Sequence, residues 1–215
     1  MSSSSSPPSS APFGEQQQSQ SAQQQQQTEE VVQPAVVEAK LAGGGKVLIE
    51  ETRSQDELRT RGFGEREGQE YVLKPYEALY LLQAKRLTLA GKNDMTFNAL
   101  FEHLLKHDRN IMTKFLVYRD LRSRGYVAKE GFGFGDDFRV YERGEYEKKP
   151  AKYVVFGINE GTNVTARGFA SAIEQIEKMG KEAVVAVIER RGEVIYYKTS
   201  KMRFLQNKHD TFLVR

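Results

Sequence analysis

Residues 114 to 144, KFLVYRDLRSRGYVAKEGFGFGDDFRVYERG, constrain this chain more than any other stretch. Phe115, Tyr118 and Leu121 recur at helical spacing, with Arg119, Arg122 and Arg124 on the faces between them. Gly125 stands where a left-handed C-cap falls, because no side chain there opposes a positive φ. Beyond Gly131, Gly133 and Gly135, the run Phe138-Arg139-Val140-Tyr141 alternates as a strand with one buried face. Phe138 and Val140 point one way, Arg139 and Tyr141 the other. A helix, a glycine stop, a glycine-rich turn and a strand ending on a tyrosine beside arginines suit phosphate chemistry better than core packing.

The flanking sequence supplies the rest of an α/β (α+β) chain. Lys46 to Glu50 and Tyr71-Val72-Leu73 read as strands, Ser54 with Glu57 as a capping box for a short helix, and Pro75 as the first residue of a helix. Phe97, Leu100, Phe101, Leu104 and Leu105 form an apolar stripe on a further helix. These elements make a small mixed N-terminal domain over 45–110. A compact domain over 111–206 follows. It holds the helix and strand described above, a strand over 152–158, and a helix from Thr165 to a stop at Gly180. An apolar strand over 183–188 and a hairpin into 194–197 complete it. Residues 1–44 are Ser-, Pro- and Gln-rich and are read as a disordered tail, and 207–215 as a loose one.

Charge narrows the partners. Residues 1–40 carry Lys40 against Glu15, Glu29, Glu30 and Glu38, a net −3, which leaves +6 of the total +3 for the remainder. A basic globular part is compatible with RNA, since phosphate neutralisation dominates nonspecific affinity. The absence of cysteine excludes a disulfide framework and thiolate metal sites. No apolar run reaches the roughly 20 residues of a membrane helix. The start lacks a charged-then-apolar signal pattern, so a cytoplasmic protein is expected. His103 and His107 lie four apart, but no H-E-x-x-H arrangement accompanies them, and they read as a helix surface. Neither metal nor cofactor is expected.

The segments Tyr118-Arg119-Asp120-Leu121-Arg122-Ser123-Arg124-Gly125-Tyr126 and Phe134 to Gly144 resemble the tRNA-splicing endonuclease (tRNA-intron lyase) family of archaeal type. The likeness runs from about Val72 to about Phe204. It implies a nuclease-like C-terminal domain, precursor tRNA as substrate, and a homologous subunit as partner. It also implies metal-independent cleavage at a bulge-helix-bulge to 2′,3′-cyclic phosphate and 5′-hydroxyl ends. Such cleavage needs a group acting on the 2′-OH, a general acid for the leaving oxygen, and a cation for charge on phosphorus. The family is understood to use Tyr, His and Lys. Its tyrosine corresponds to Tyr141 and its lysine to Lys181, while its histidine position is Ala151. No histidine stands between His107 and His209.

The resemblance therefore implies a structural or pseudo-catalytic subunit, with Arg119, Arg122, Arg124, Arg139 and Arg143 as candidate phosphate contacts. A self-sufficient lyase with Tyr146, Lys148, Lys149 or Lys152 as substitute acid is one alternative. Others are a carboxylate-metal nuclease using Asp136, Asp137 and Glu189, and a non-enzymatic assembly or RNA-binding module. Two features depart from the family. Its subunit-docking acidic loop reads Glu189-Arg190-Arg191-Gly192-Glu193 here. The helix that carries a base-stacking arginine in the family holds Glu174, Glu177 and Lys178 instead.

Overall fold

A computed structural model describes residues 36–90, 95–135 and 137–202. Ten strands form two five-stranded mixed sheets. The first has the order β3-β4-β2-β1-β5, from β1 (Val37–Leu41), β2 (Val47–Ile49), β3 (Glu65–Glu67), β4 (Glu70–Leu73) and β5 (Leu87–Leu89). Helices α1 (Thr52–Thr60), α2 (Pro75–Gln83) and α3 (Phe97–Leu105) accompany it. The second sheet has the order β10-β9-β8-β7-β6. Its strands are β6 (Val127–Glu130), β7 (Asp137–Tyr141), β8 (Tyr153–Asn159), β9 (Glu182–Ile188) and β10 (Val194–Thr199). Helix α4 (Ile111–Ser123) precedes β6, and α5 (Ala166–Lys178) crosses from β8 to its parallel neighbour β9.

Three local readings change. The tail boundary at 44 is corrected: Val37 to Leu41 form a strand between β2 and β5, with Val37 and Ala39 buried. Residues 1–35 and 203–215, and with them His209 and Phe204, lie outside the described residues. Ser54 is not an N-cap either. It sits inside α1, whose N-cap is Glu51, and its hydroxyl donates to the Glu51 carboxylate at 2.6 Å. Strands β3, β5 and β6 were not legible. β3 and β5 are three residues each, and Val127-Ala128-Lys129-Glu130 lacks apolar alternation.

The organising helix behaves as its spacing requires. Phe115, Tyr118 and Leu121 are buried, and Gly125 takes φ +84°. α4 packs on α2 and α3 with one side and reaches β6, β8, β9 and β10 with another, so one buried cluster runs through both sheets. Where they meet, Tyr76 of the first half packs on Tyr118 and Phe138 of the second, and Tyr80, itself stacked on Phe63, packs on Tyr118. Ring centroids are 4.9 Å apart for Tyr76–Tyr118 and 5.2 Å for Tyr76–Phe138. Aromatic pairs at such separations add about 0.5–1.5 kcal/mol each beyond area burial.

That junction also contains a buried ion pair. Glu77, wholly buried at the third position of α2, accepts from the amides of Gly64 (2.9 Å) and Lys74 (3.0 Å). Its second oxygen meets the Nζ of Lys129 at 3.2 Å, and Lys129 also donates to the Gly64 carbonyl at 2.7 Å. Every polar atom of the carboxylate is thus partnered, the condition under which a buried charge is tolerated.

Candidate active site

Sheet register sets the site. β7 pairs with β8 through Val140 opposite Tyr153, and β8 with β9 through Tyr153 opposite Glu182. The next residues outward, Tyr141 as the last residue of β7, Ala151-Lys152 before β8 and Lys181 before β9, therefore lie at one end of three adjacent strands. Backbone bonds seal this end: Lys152 N–H donates to the Val140 carbonyl and Glu182 N–H to that of Lys152, both at 3.0 Å. The Lys181 Nζ donates to the Ala151 carbonyl at 2.8 Å. Among the described residues no carboxylate lies within ion-pair distance of that ammonium.

Tyr141 is half-buried, and its ring meets Tyr146 edge-on at 5.1 Å. The loop that carries Tyr146 is tied to α1 by Glu147, which bonds Arg59 at 3.0 Å. Ala151 is only 6% exposed.

Three of the candidate substitute acids, Lys152, Lys149 and Tyr146, are poorly tuned. Lys152 is bonded to Glu142, which pushes the ammonium pKa above its usual value, and Lys149 is raised in the same way by Glu145. Burial raises the Tyr146 phenol. Each shift moves away from the neutral range where a proton donor works well.

The arginines divide. Arg122 is engaged in the junction, lying 4.0 Å over the Phe63 ring and donating to the Arg61 carbonyl at 2.9 Å. Arg124 pairs with Asp120 at 2.6 Å, and Asp120 also accepts from the Tyr196 hydroxyl at 2.7 Å. Arg119 covers Phe115 of its own helix. Arg139 and Arg143 flank Tyr141 along the chain. Arg139 donates to the Glu130 carbonyl at 2.8 Å, and Arg143 is exposed beside the Tyr126 ring.

The carboxylate-metal reading loses a ligand. Asp137 is 6% exposed and accepts from the amides of Phe132 (2.7 Å) and Phe134 (3.1 Å). Asp136 lies outside the described residues. No three His, Asp or Glu side chains gather as an ion-ligand set among the described residues. His103 and His107 place their ring centroids 5.4 Å apart.

The fold that carries Tyr141 and Lys181 at one strand end is a mixed α/β protein of two sheets. Comparison with known proteins makes the class specific. Residues 37–101 match the N-terminal domain of tRNA intron endonuclease, and residues 111–196 match its catalytic C-terminal domain. The tRNA-splicing endonuclease of Thermococcus onnurineus is 31% identical over 169 residues, covering 78% of this chain and 98% of that protein. That of Pyrococcus furiosus is 30% identical over 79% of the chain and 98% of its own length. The Methanothermobacter thermautotrophicus enzyme is 35% identical over 56% of the chain and 71% of its own length. The chain belongs to the tRNA-splicing endonuclease family. No helix among the described residues is long and apolar enough to cross a membrane.

Proposed function

We propose that this chain is a subunit of a tRNA-splicing endonuclease that binds precursor tRNA at a bulge-helix-bulge and completes its active site with a histidine-bearing homologous subunit. The carrying observation is the 2.8 Å bond from Lys181 Nζ to the Ala151 carbonyl. It joins the cation to the family's histidine position at the strand end where Tyr141 also sits. In this reading Tyr141 orients the 2′-OH, and Lys181, with no carboxylate within ion-pair distance among the described residues, holds the charge that builds on phosphorus. Ala151 offers no proton for the leaving 5′-oxygen. The raised Lys152, Lys149 and Tyr146 favour the pseudo-catalytic role over a self-sufficient lyase.

Assembly is supported by the edge strand β10, which pairs only with β9 among the described residues. Its outer surface exposes Ile195 and Tyr197, with Met202 beyond. An unpaired edge with apolar residues is a ready template for association. The deciding experiment incubates purified protein with an intron-containing precursor tRNA, alone and with a histidine-bearing homologue. Cleavage only in the mixture, with RNA affinity falling steeply as salt rises, is the expected result. Efficient cleavage by the single chain overturns the pseudo-catalytic role, and salt-independent binding overturns the RNA reading.

A further inference from the structure

The turn between β6 and β7 holds a large aromatic ring in water, next to Lys181. Phe132 is 41% exposed. Its position is fixed by a buried group, since the Asp137 carboxylate accepts from the Phe132 and Phe134 amides. Gly131 closes the turn by donating to the Asp137 carbonyl at 2.9 Å. A Cβ on Gly131 would lie 1.9 Å from Asp137 Oδ2, so only glycine fits there. Of the two phenylalanines in Gly-Phe-Gly-Phe-Gly, Phe134 turns inward onto Phe156, at 6.3 Å between centroids, and Phe132 turns out. A loop that merely connected two strands would have no need to hold an apolar ring outside the core.

The surroundings of that ring are cationic. The Arg139 guanidinium lies 5.6 Å from its centroid and Lys181 Nζ lies 5.8 Å from it. Arg139 is steadied by its bond to the Glu130 carbonyl. An aromatic face flanked by cations is the arrangement that binds single-stranded nucleic acid: the ring stacks a base and the cations meet the adjoining phosphates.

We propose that Phe132 is a stacking platform for one unpaired base of the RNA whose phosphate reaches Lys181. This rests on the function proposed above and adds to it a base-binding subsite. The base lies on the uncovered part of the ring, and its own phosphate or the next one faces Arg139 and Lys181. The platform thereby selects unpaired nucleotides over duplex, because a base within a helix already has both faces covered.

The test uses full-length protein and a bulge-helix-bulge RNA carrying 2-aminopurine at each bulge nucleotide in turn. Wild-type protein should quench fluorescence at one bulge position. Phe132→Ala should relieve that quenching and weaken binding roughly five- to a hundredfold, the range for losing one base–aromatic stack. The slope of affinity against salt should not move, because no phosphate contact is lost. Phe132→Tyr should keep both signals. Phe132→Leu, which retains apolar bulk without a π face, should lose the quenching and serves if the alanine variant melts early. Absence of RNA binding by wild type at low salt overturns the function and the platform together. RNA binding with quenching that Phe132→Ala leaves intact overturns the platform alone. If that substitution instead lowers the oligomer mass in light scattering and spares RNA binding, the ring is an assembly contact and the proposal is wrong.

Discussion

Lys129 and Lys181 both donate to backbone carbonyls, at 2.7 and 2.8 Å, yet their surroundings are opposite. Lys129 is buried, and every direction open to its ammonium leads to protein: Glu77, Gly64 and Gly62. Lys181 bonds one carbonyl, lies near one exposed ring, and has no carboxylate beside it among the described residues. The first charge is fully matched inside the fold. The second has no such match among the described residues, which is what the proposed role in holding a phosphate requires. The same division separates Arg122, stacked and bonded at the junction of the two sheets, from Arg143, exposed beyond Tyr141. Residue type alone does not tell a cation spent inside the fold from one left open at the surface; the partners around it do.

The largest test of this contrast is at the junction. Glu77→Ala or Lys129→Ala leaves one buried charge uncompensated and should cost about 3–5 kcal/mol in chemical denaturation. The double change Glu77→Leu with Lys129→Met should recover much of that loss, because both charges leave together. Lys181→Ala should cost only about 1 kcal/mol, the value of one hydrogen bond, while reducing cleavage by the assembled enzyme. A Lys181 variant as unstable as a Lys129 variant would erase the contrast.

Next in size is a gain at the strand end that carries Tyr141 and Lys181. Ala151→His keeps the backbone carbonyl that Lys181 uses and introduces a general acid. It should raise cleavage of a bulge-helix-bulge RNA by about 10²–10⁴-fold, and Tyr141→Phe in that background should remove the gain. If Ala151→His adds nothing and unmodified protein already cuts well, another residue supplies the proton.

The arginines give a smaller pair of effects. Arg122→Ala should lower stability by about 1–3 kcal/mol, since the Arg61 carbonyl loses its donor and Phe63 loses a stacked cation. Arg143→Ala should leave stability within about 0.5 kcal/mol and reduce the salt slope of RNA binding by about one phosphate contact. An exchange of these outcomes would reverse the assignment of the two sites.

The smallest effect concerns acid. Bonds from Lys152 and then Tyr153 hold the Glu142 carboxyl below its ordinary value. A depressed folded-state pKa stabilises the fold above the unfolded pKa of about 4.3, and that contribution is lost as pH falls through the lower folded value. Melting temperatures of wild type and Glu142→Gln should therefore differ slightly at neutral pH and converge below about pH 4. Because Glu142 is half-exposed, added salt should shrink the difference. A difference that grows on acidification would mean the carboxylate is not braced by Lys152.

Much of this molecule was legible in its sequence because periodicity reports burial directly. Phe115, Tyr118 and Leu121 had to share a face, Phe138 and Val140 had to share another, and Gly125 had to end the helix; all three follow from backbone geometry alone. The likeness carried by Tyr118 to Tyr126 and Phe134 to Gly144 pointed to Tyr141, Lys181 and Ala151, which the fold brings to one end of β7, β8 and β9. Other features left no local trace. β1 is five residues with only alternate burial inside a Ser/Gln-rich context, and it is a strand because β2 and β5 flank it. Ser54 has the spacing of a cap but lies within the helix, since the first turn is set by Glu51. Glu77 and Lys129 are 52 residues apart, and nothing in either neighbourhood announces a buried pair.

The sequence by itself determined the helix and strand faces, the glycine stops and the residue types at the strand ends, because these depend on chain periodicity and on which side chains a backbone conformation permits. Only the tertiary structure decided which charges face one another. It buried Lys129 against Glu77, engaged Arg122 with Phe63, turned Phe132 out beside Lys181, and brought that lysine to the Ala151 carbonyl. Such choices rest on distances between segments far apart along the chain, and electrostatic energies depend on that separation and on the surrounding dielectric rather than on residue order.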